Sequence, residues 1–301
     1  PFPNPEIKEA LAKGLELCNV VKPDLLLATD PDCDRVGIAV PSDNGYELFT
    51  GNEVGAMLLE YICSERTKMG TMPADPVAVK TIVTTDIAAK IAKEYGVKLI
   101  EVLTGFKFIG EQIGFLEDKG QEDRYIFGFE ESYGYLAGSY VRDKDAVVAS
   151  MLICEMAAFY RTKGISLIQA RENMYKKYGV YVHSQSSFVC EGVTGMERMK
   201  EIMSDLRTNT PKTIGGLTVT RFEDYLASTS VDTATGAKTM LTLPKSDVLT
   251  FKLTDGASVI IRPSGTEPKI KAYYTTTGTT KAEAAALEKT ISDDFAKILG
   301  F

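Results

Sequence analysis

The sequence predicts an α/β fold with a mixed or parallel sheet carrying helices on both faces, followed by a C-terminal α+β domain. Two patterns support this. From Gly51 to Arg161, short apolar runs alternate with amphipathic helical segments, the pattern of a sheet layered with helices. Near Val180 the pattern becomes less regular, and turn signals crowd in at Gly192, Gly215-Gly216 and Asp255-Gly256. A third observation concerns chemistry. The loop Asp30-Pro31-Asp32-Cys33-Asp34-Arg35 joins two apolar runs, Leu25–Ala28 and Val36–Val40. Two strands with a charged tight loop between them place that loop at a strand end.

The elements follow in order. A helix is expected over Glu6–Val21, then a strand, the Asp loop and a returning strand. Asn52–Arg66 is helical, with Val54, Met57, Leu58, Tyr61 and Ile62 on one face. Val77–Thr84 is a strand, Asp86 caps a helix running to Tyr95, and Gly96 closes it. Lys98–Leu103 is a strand, Phe108–Asp118 a helix, Arg124–Phe129 a strand and Asp145–Arg161 a largely apolar helix. The last helix opens on a capping box, Thr280 with Glu283, and shows Leu287, Ile291, Phe295 and Ile298 on one face. The expected division is 1–49, the remainder of an α/β domain carrying the Asp loop, then 50–182, an α/β domain, then 183–301, an α+β domain. Residues 1–49 are too few to bury a core alone. The start, Pro1-Phe2-Pro3-Asn4-Pro5, is rigid and lacks an initiator Met, which predicts a processed or truncated product.

Composition narrows the function. At 301 residues, 44% hydrophobic and 25% charged, the chain is an ordinary globular one of about two domains. A net charge of −7 without a basic stripe argues against nucleic acid. Its longest apolar stretch, Ala146–Cys154, is far short of the roughly 20 residues of a membrane span. Cys18, Cys33, Cys63, Cys154 and Cys190 are scattered without a Cys-x-x-Cys pair, which suits a reducing cytoplasm. The single His183 rules out a His-rich zinc site, so the chemistry must run on carboxylates, Lys, Arg and metal.

Asp30, Asp32 and Asp34 repel one another unless a cation sits among them. Oxygen-only ligands select a hard ion, Mg2+ before Ca2+ or Mn2+, and Arg35 adds a fork for an anion such as phosphate. An EF-hand fails, because its sixth and twelfth positions hold Arg35 and Pro41. A haloacid-dehalogenase-like phosphatase loop matches only at Asp30 and Asp32, with Asp34 where that family has Thr or Val, and it stays open as an alternative.

Four further stretches carry polar chemistry. Arg262-Pro263-Ser264-Gly265-Thr266-Glu267-Pro268-Lys269 combines a turn, two hydroxyls and flanking cations; by itself it suits a plain hairpin turn equally well, and beside the Asp loop the phosphate-cradle reading leads. Phe127 to Tyr135 brings Glu130, Glu131 and Ser132 together with aromatics and glycines, by itself an ordinary surface loop with buried aromatics, and in the context of the other loops a set suited to sugar hydroxyls. Arg142-Asp143-Lys144-Asp145 precedes the apolar helix, with Asp145 its N-cap. Thr104-Gly105-Phe106-Lys107 ends a strand and offers a Lys toward the crevice at the carboxyl ends of the sheet's strands. Lys80, inside a strand, either faces that crevice or lies at an edge.

Taken in order, DPDCDR (30–35), TGFKFIGE (104–111), GFEESYG (128–134), RDKDA (142–146) and RPSGTEPKIK (262–271) resemble the α-D-phosphohexomutases, the phosphoglucomutases and phosphomannomutases. GFEESYG and TGFKFIGE look more like the phosphoglucomutase branch. The resemblance implies the end of a second α/β domain, a whole third one and a TATA-binding-protein-like α+β fourth. It also implies transfer of a phosphoryl group between a phosphoserine and a hexose phosphate through a bisphosphate that turns over in the cleft. By this resemblance Asp30, Asp32 and Asp34 hold Mg2+ and Arg35 steadies the transferring group, with Lys144 a second catalytic candidate. Thr104, Lys107, Glu130, Ser132, Arg142 and Lys144 then bind the sugar phosphate, and Arg262, Ser264, Gly265, Thr266 and Lys269 hold the non-reacting phosphate. The family's phosphoserine loop, of the Thr-Ala-Ser-His-Asn-Pro type, has no match in these residues, because the only His is followed by Ser-Gln. The resemblance therefore implies that these residues partner the N-terminal domains of the same chain, bind Mg2+ weakly by themselves and do not turn over alone. A phosphomannomutase, a phosphopentomutase or a non-enzymatic sugar-phosphate binding module remain alternatives.

Overall fold

The computed structural model describes residues 2–192, 194–265 and 267–301. They form two compact units, one running to Tyr178 and the other beginning at Gly179.

The first unit starts with a 3₁₀ turn, Lys8–Leu11, continued by α1 (Ala12–Val21). The predicted helix start at Glu6 is therefore too early. Asn4 accepts from the Glu6 and Ile7 amides, and this turn holds residues 4–7 outside the helix. Three antiparallel strands follow, β1 (Leu26–Thr29), β2 (Val36–Ser42) and β3 (Gly45–Phe49), in spatial order β1-β2-β3. Then comes α2 (Gly51–Met69), longer than expected at both ends. Thr50 and Glu53 close a reciprocal capping box at its start, and Gly70 ends it.

The unit continues with β4 (Val77–Thr81), α3 (Ile87–Tyr95), β5 (Lys98–Val102), α4 (Phe106–Glu117), β6 (Tyr125–Glu130), β7 (Gly134–Leu136), α5 (Ala146–Thr162) and α6 (Leu167–Tyr178). The sheet order is β5-β4-β6-β7, parallel among the first three strands, with β7 antiparallel at the edge. It is thus a mixed sheet. Successive residues of β6 face opposite layers: Phe129 lies against α2 at Gly55, and Gly128 lies against Ile109 of α4. Helices therefore cover both faces, as predicted. Phe106, Ile109 and Ile113 of α4 pack on Val77, Val79 and Val102. Asp145 caps α5 as expected, accepting from the Val147 and Val148 amides. Asp86 does not cap α3 with its side chain, because that carboxylate is taken by Lys80.

The second unit is built on an eight-stranded antiparallel sheet. Its elements are β8 (Val180–Val189), α7 (Gly195–Thr208), β9 (Thr213–Ile214), β10 (Leu217–Asp224), β11 (Thr229–Asp232), β12 (Lys238–Met240), β13 (Leu249–Leu253), β14 (Ser258–Pro263), β15 (Lys269–Gly278) and α8 (Lys281–Ile298). Alternate residues Leu249, Phe251, Leu253, Val259, Ile261, Ile270, Ala272 and Tyr274 turn one sheet face inward. Met199 and Met203 of α7 and Ile291 and Phe295 of α8 close that core. Thr280 caps α8 by accepting from the Glu283 amide, while Glu283 reaches back to the Thr279 amide. This is the α+β domain the sequence predicts. Among the described residues, no helix is long and apolar enough to cross a membrane.

Candidate active site

The Asp loop connects two paired strands, since Thr29 of β1 lies opposite Val36 of β2. Its form follows from Asp30, which is buried. Asp30 Oδ1 accepts from the amides of Asp34 (3.1 Å) and Arg35 (3.0 Å), and Oδ2 accepts from Arg35 Nε at 2.7 Å. Cys33, with φ of 58°, makes the left-handed turn that lets the chain fold back over this carboxylate. Burial pushes the Asp30 pKa up, but the Arg35 backbone and side-chain bonds outweigh it and hold the pKa at about 2. Asp34 shifts the other way. Burial and the neighbouring Asp30 raise its pKa, against the pull of Lys144.

The three carboxylates each place an oxygen within 4.8 Å of the others. The donor set is all oxygen, and Asp34 Oδ1 is buried without a hydrogen-bond partner, so the residues present fit a hard divalent cation. Two cations of the protein adjoin the triad. Lys144 Nζ lies 2.9 Å from Asp34 Oδ2, and Arg35 Nε lies 3.6 Å from Asp34 Oδ1.

The stretch after β6 is fastened to this loop by main-chain bonds. Arg35 bridges Gly134, and the Val36 amide donates to Tyr133 O at 3.1 Å. The Ala146 amide, at the start of α5, donates to Cys33 O at 3.1 Å, and the Asp145 amide donates to Tyr135 O at 3.0 Å. Three loops distant in sequence thereby share one backbone lattice. Lys144 crosses Gly134 to reach Asp34: a Cβ on that glycine would lie 2.3 Å from Lys144 Cδ.

Glu130 ends β6 and is only 7% exposed. Its Oε1 accepts from the Gly105 amide at 2.9 Å, which ties the sugar-loop candidate to the Thr104-Gly105 turn after β5. Burial, then the adjacent Glu131, pushes its pKa up to about 7, against the Gly105 bond and Lys144. Glu131 accepts from Thr81 and Thr84 at the end of β4 (3.3 and 3.4 Å), and burial raises its pKa too. Polar groups therefore gather at the carboxyl ends of β4, β5 and β6, where sheets of this kind take their ligands.

Lys80 lies beneath them. It is 1% exposed on the central strand β4 and contacts Thr84 O (3.0 Å), Asp86 (3.1 Å) and Glu101 (2.9 Å). Burial alone would lower its pKa; the two carboxylates outweigh it and keep the ammonium charged.

The remaining candidates are placed as follows. Thr104 and Ser132 are half-buried beside these loops. Lys107 is exposed on α4, over the Phe108 ring at 4.9 Å. Arg142 turns to Ser139 O and Glu117. The structure thus joins Asp30, Asp32, Asp34, Arg35, Lys144 and Glu130, and does not bring Lys107 or Arg142 into contact with them. In the second unit, Arg262 and Pro263 end β14 and Lys269 opens β15. The Ser264 amide donates to Lys269 O (2.8 Å), Ser264 Oγ accepts from the Glu267 amide (3.3 Å), and Lys269 Nζ pairs with Glu267 at 2.5 Å. Arg262 Nε is 3.4 Å from Tyr273 Oη, and Gly265 leaves open space on its Cβ side. Thr266 lies outside the described residues. Residue-by-residue reading missed Glu6, Thr81 and Thr84. For Glu6 the signal was the rigid Pro3-Asn4-Pro5 leading into it.

This layout is that of a layered α/β protein with three carboxylates and two cationic side chains gathered at a strand end. The chain belongs to the phosphoglucomutase/phosphomannomutase family, whose models match as alpha/beta/alpha domain II over residues 1–44, alpha/beta/alpha domain III over 50–178 and the C-terminal domain over 206–293. Phosphoglucomutases of Staphylococcus aureus strains bovine RF122 / ET3-1 and MRSA252 are 38% identical to it over 271 residues, 90% of this chain and 48% of the relatives. The chain thus spans about half the length of the curated relatives it matches. Among solved structures, Paramecium parafusin, a phosphoglucomutase in its open form, superposes with a TM-score of 0.69 at 20% identity, covering 98% of this chain and 50% of that one. A putative phosphomannomutase from Thermus thermophilus gives 0.63 at 20% identity, over 99% and 51%. These two likenesses speak to the fold.

Proposed function

We propose that the chain carries the substrate-handling part of a phosphoglucomutase, an isomerase interconverting glucose 1-phosphate and glucose 6-phosphate through a phosphoserine and a bisphosphate intermediate. One observation carries the reading. The carboxylate triad, Arg35 and Lys144 converge in one backbone-laced patch with the Glu130 loop. Asp30, Asp32 and Asp34 would hold Mg2+, which when bound neutralises charge on a transferring phosphoryl group. Arg35 and Lys144 place positive charge beside the same group, and such preorganised charge is the main demand of phosphoryl transfer. Glu130 accepts from a sugar hydroxyl, with Thr104 and Ser132 alongside it. Lys107 and Arg142 serve as outer phosphate contacts once substrate draws them in. Arg262, Ser264, Gly265, Thr266 and Lys269 hold the phosphate that does not react. None of the 301 residues matches the phosphoserine loop, so the phosphoryl donor comes from outside them and the chain alone does not turn over. The glucose preference follows the Staphylococcus aureus phosphoglucomutases to which the chain is 38% identical.

The test is glucose 6-phosphate formation from glucose 1-phosphate, run on these 301 residues and on the longest polypeptide their gene encodes. Binding of glucose 1-phosphate is measured alongside by calorimetry with Mg2+. Binding by both and turnover by the longer polypeptide alone are expected, with mannose 1-phosphate turned over more slowly. Release of inorganic phosphate that disappears in Asp30→Asn would instead establish a phosphatase.

A further inference from the structure

The stiff segment before α1 has no role in the reading above, yet it reaches the anion-handling side chain. Pro5 is buried, and its carbonyl and ring lie on Gly37 of β2, where a Cβ would come within 2.6 Å of Pro5 O and 3.0 Å of Pro5 Cβ. Only a residue without a side chain at 37 lets this segment lie flat. Asn4 then accepts from the Glu6 amide at 3.0 Å and from the Ile7 amide at 3.0 Å, which fixes the direction in which Glu6 leaves the chain. Glu6 Oε1 meets Arg35 Nη1 at 3.1 Å, while Asp30 Oδ2 holds Nε of the same guanidinium at 2.7 Å.

We propose that Glu6 is a positioning residue for Arg35: it clamps the guanidinium from the side opposite Asp30 and aims the remaining Nη2 amine at the phosphoryl group. This inference rests on the phosphoryl-transfer reading of the site. Among the described residues Nη2 has no acceptor, so the planar fork is held through Nε and Nη1 and keeps one donor edge for a ligand. Stability does not explain the pair. Both side chains are about a quarter exposed, and such an ion pair contributes about 1 kcal/mol or less. An acidic group beside an arginine that receives an anion also weakens anion attraction. Its gain lies in orientation, since a guanidinium already held in place loses less freedom as the phosphoryl group arrives.

The test uses phenylglyoxal labelling of Arg35, followed by mass spectrometry, in the wild-type chain, Glu6→Ala and Glu6→Gln. Freed Nη1 should react about fivefold faster in Glu6→Ala, with Glu6→Gln intermediate because it keeps an acceptor. Melting temperatures should fall by no more than about 4 °C in either. In the longest polypeptide of the gene, Glu6→Ala should lower kcat for glucose 1-phosphate about tenfold while KM moves less than about twofold. Equal labelling of Arg35 in all three chains overturns the proposal whether or not the wild type isomerises glucose 1-phosphate. If the longest wild-type polypeptide does not isomerise it but Glu6→Ala still exposes Arg35, the functional reading fails and the Glu6–Arg35 clamp stands.

Discussion

Lys144 reaches Asp34 by passing over the bare face of Gly134. Its Nζ sits 2.9 Å from Asp34 Oδ2, and its Cδ and Cγ occupy the space a Cβ at 134 would fill. The glycine is therefore a condition for the ion pair that joins the loop before α5 to the carboxylate triad. Gly134→Ala should force Lys144 off this path and destabilise the chain by about 1–3 kcal/mol, the usual cost of overpacking. Urea unfolding measures that loss. Loss of protection of Lys144 against acetylation would show that the side chain has swung away. A variant as stable as wild type, with Lys144 equally protected, would refute the close approach.

Asp30 and Asp32 share a motif but have different duties. Asp30 is buried and holds two amides and the Arg35 side chain, whereas Asp32 is exposed. Asp30's pKa, held at about 2, lies below its unfolded value, so its contribution is full above about pH 4 and is lost as pH falls through about 2. Asp30→Asn should cost about 2 kcal/mol near neutral pH without any metal. Asp32→Asn should change metal-free stability by less than about 0.5 kcal/mol and weaken Mn2+ or Mg2+ binding instead. Thermal melts with and without the cation separate the two. Equal stability losses in both variants would show that the triad acts as one structural unit.

Lys80 carries a buried ammonium between two carboxylates that are themselves half-exposed. Removing a buried charge normally strands its partners at a cost of several kcal/mol, but Asp86 and Glu101 can recover water. Lys80→Met should therefore cost only about 1–3 kcal/mol, chiefly through the unsatisfied Thr84 carbonyl. Amide exchange confined to residues 82–86 should rise. A loss above about 5 kcal/mol would mean that the whole sheet depends on this charge.

What the sequence made legible follows from how local each feature is. The triad could be found because its three carboxylates lie within five residues and one loop shapes them all. The α/β layering was equally visible, since Val77, Val79 and the α4 stripe repeat with the right periods. Lys144 on Asp34 and Glu6 on Arg35 are contacts between segments far apart in sequence, set by strand pairing and by two small residues, Gly134 and Gly37. Asp86 read as a cap because Asp is a good one, and it lost that role to a buried lysine that no local pattern announces. β8 escaped because its Tyr-Val-His-Ser-Gln-Ser-Ser run is polar, and ten register pairs with β15 rather than its own composition make it a strand.

Glu130 gives the site a pH signature of opposite sign to Asp30. Burial, reinforced by Glu131, pushes its pKa up to about 7, well above the unfolded value of about 4.3. Between those two values the folded chain binds the extra proton, so unfolding free energy falls as pH rises across that window. A shift of this size corresponds to about 3 kcal/mol between pH 4 and pH 7. Glu130→Gln, which is neutral throughout, should abolish that slope and be the more stable protein at pH 8. It should also weaken glucose 1-phosphate binding most at pH 8, where the wild-type carboxylate is ionised and best able to accept from a sugar hydroxyl. Urea midpoints at pH 5 and pH 8 for both proteins decide this. Parallel pH profiles would mean that Glu130 is ionised in the folded chain at pH 5, and that the Gly105 amide and Lys144 outweigh its burial.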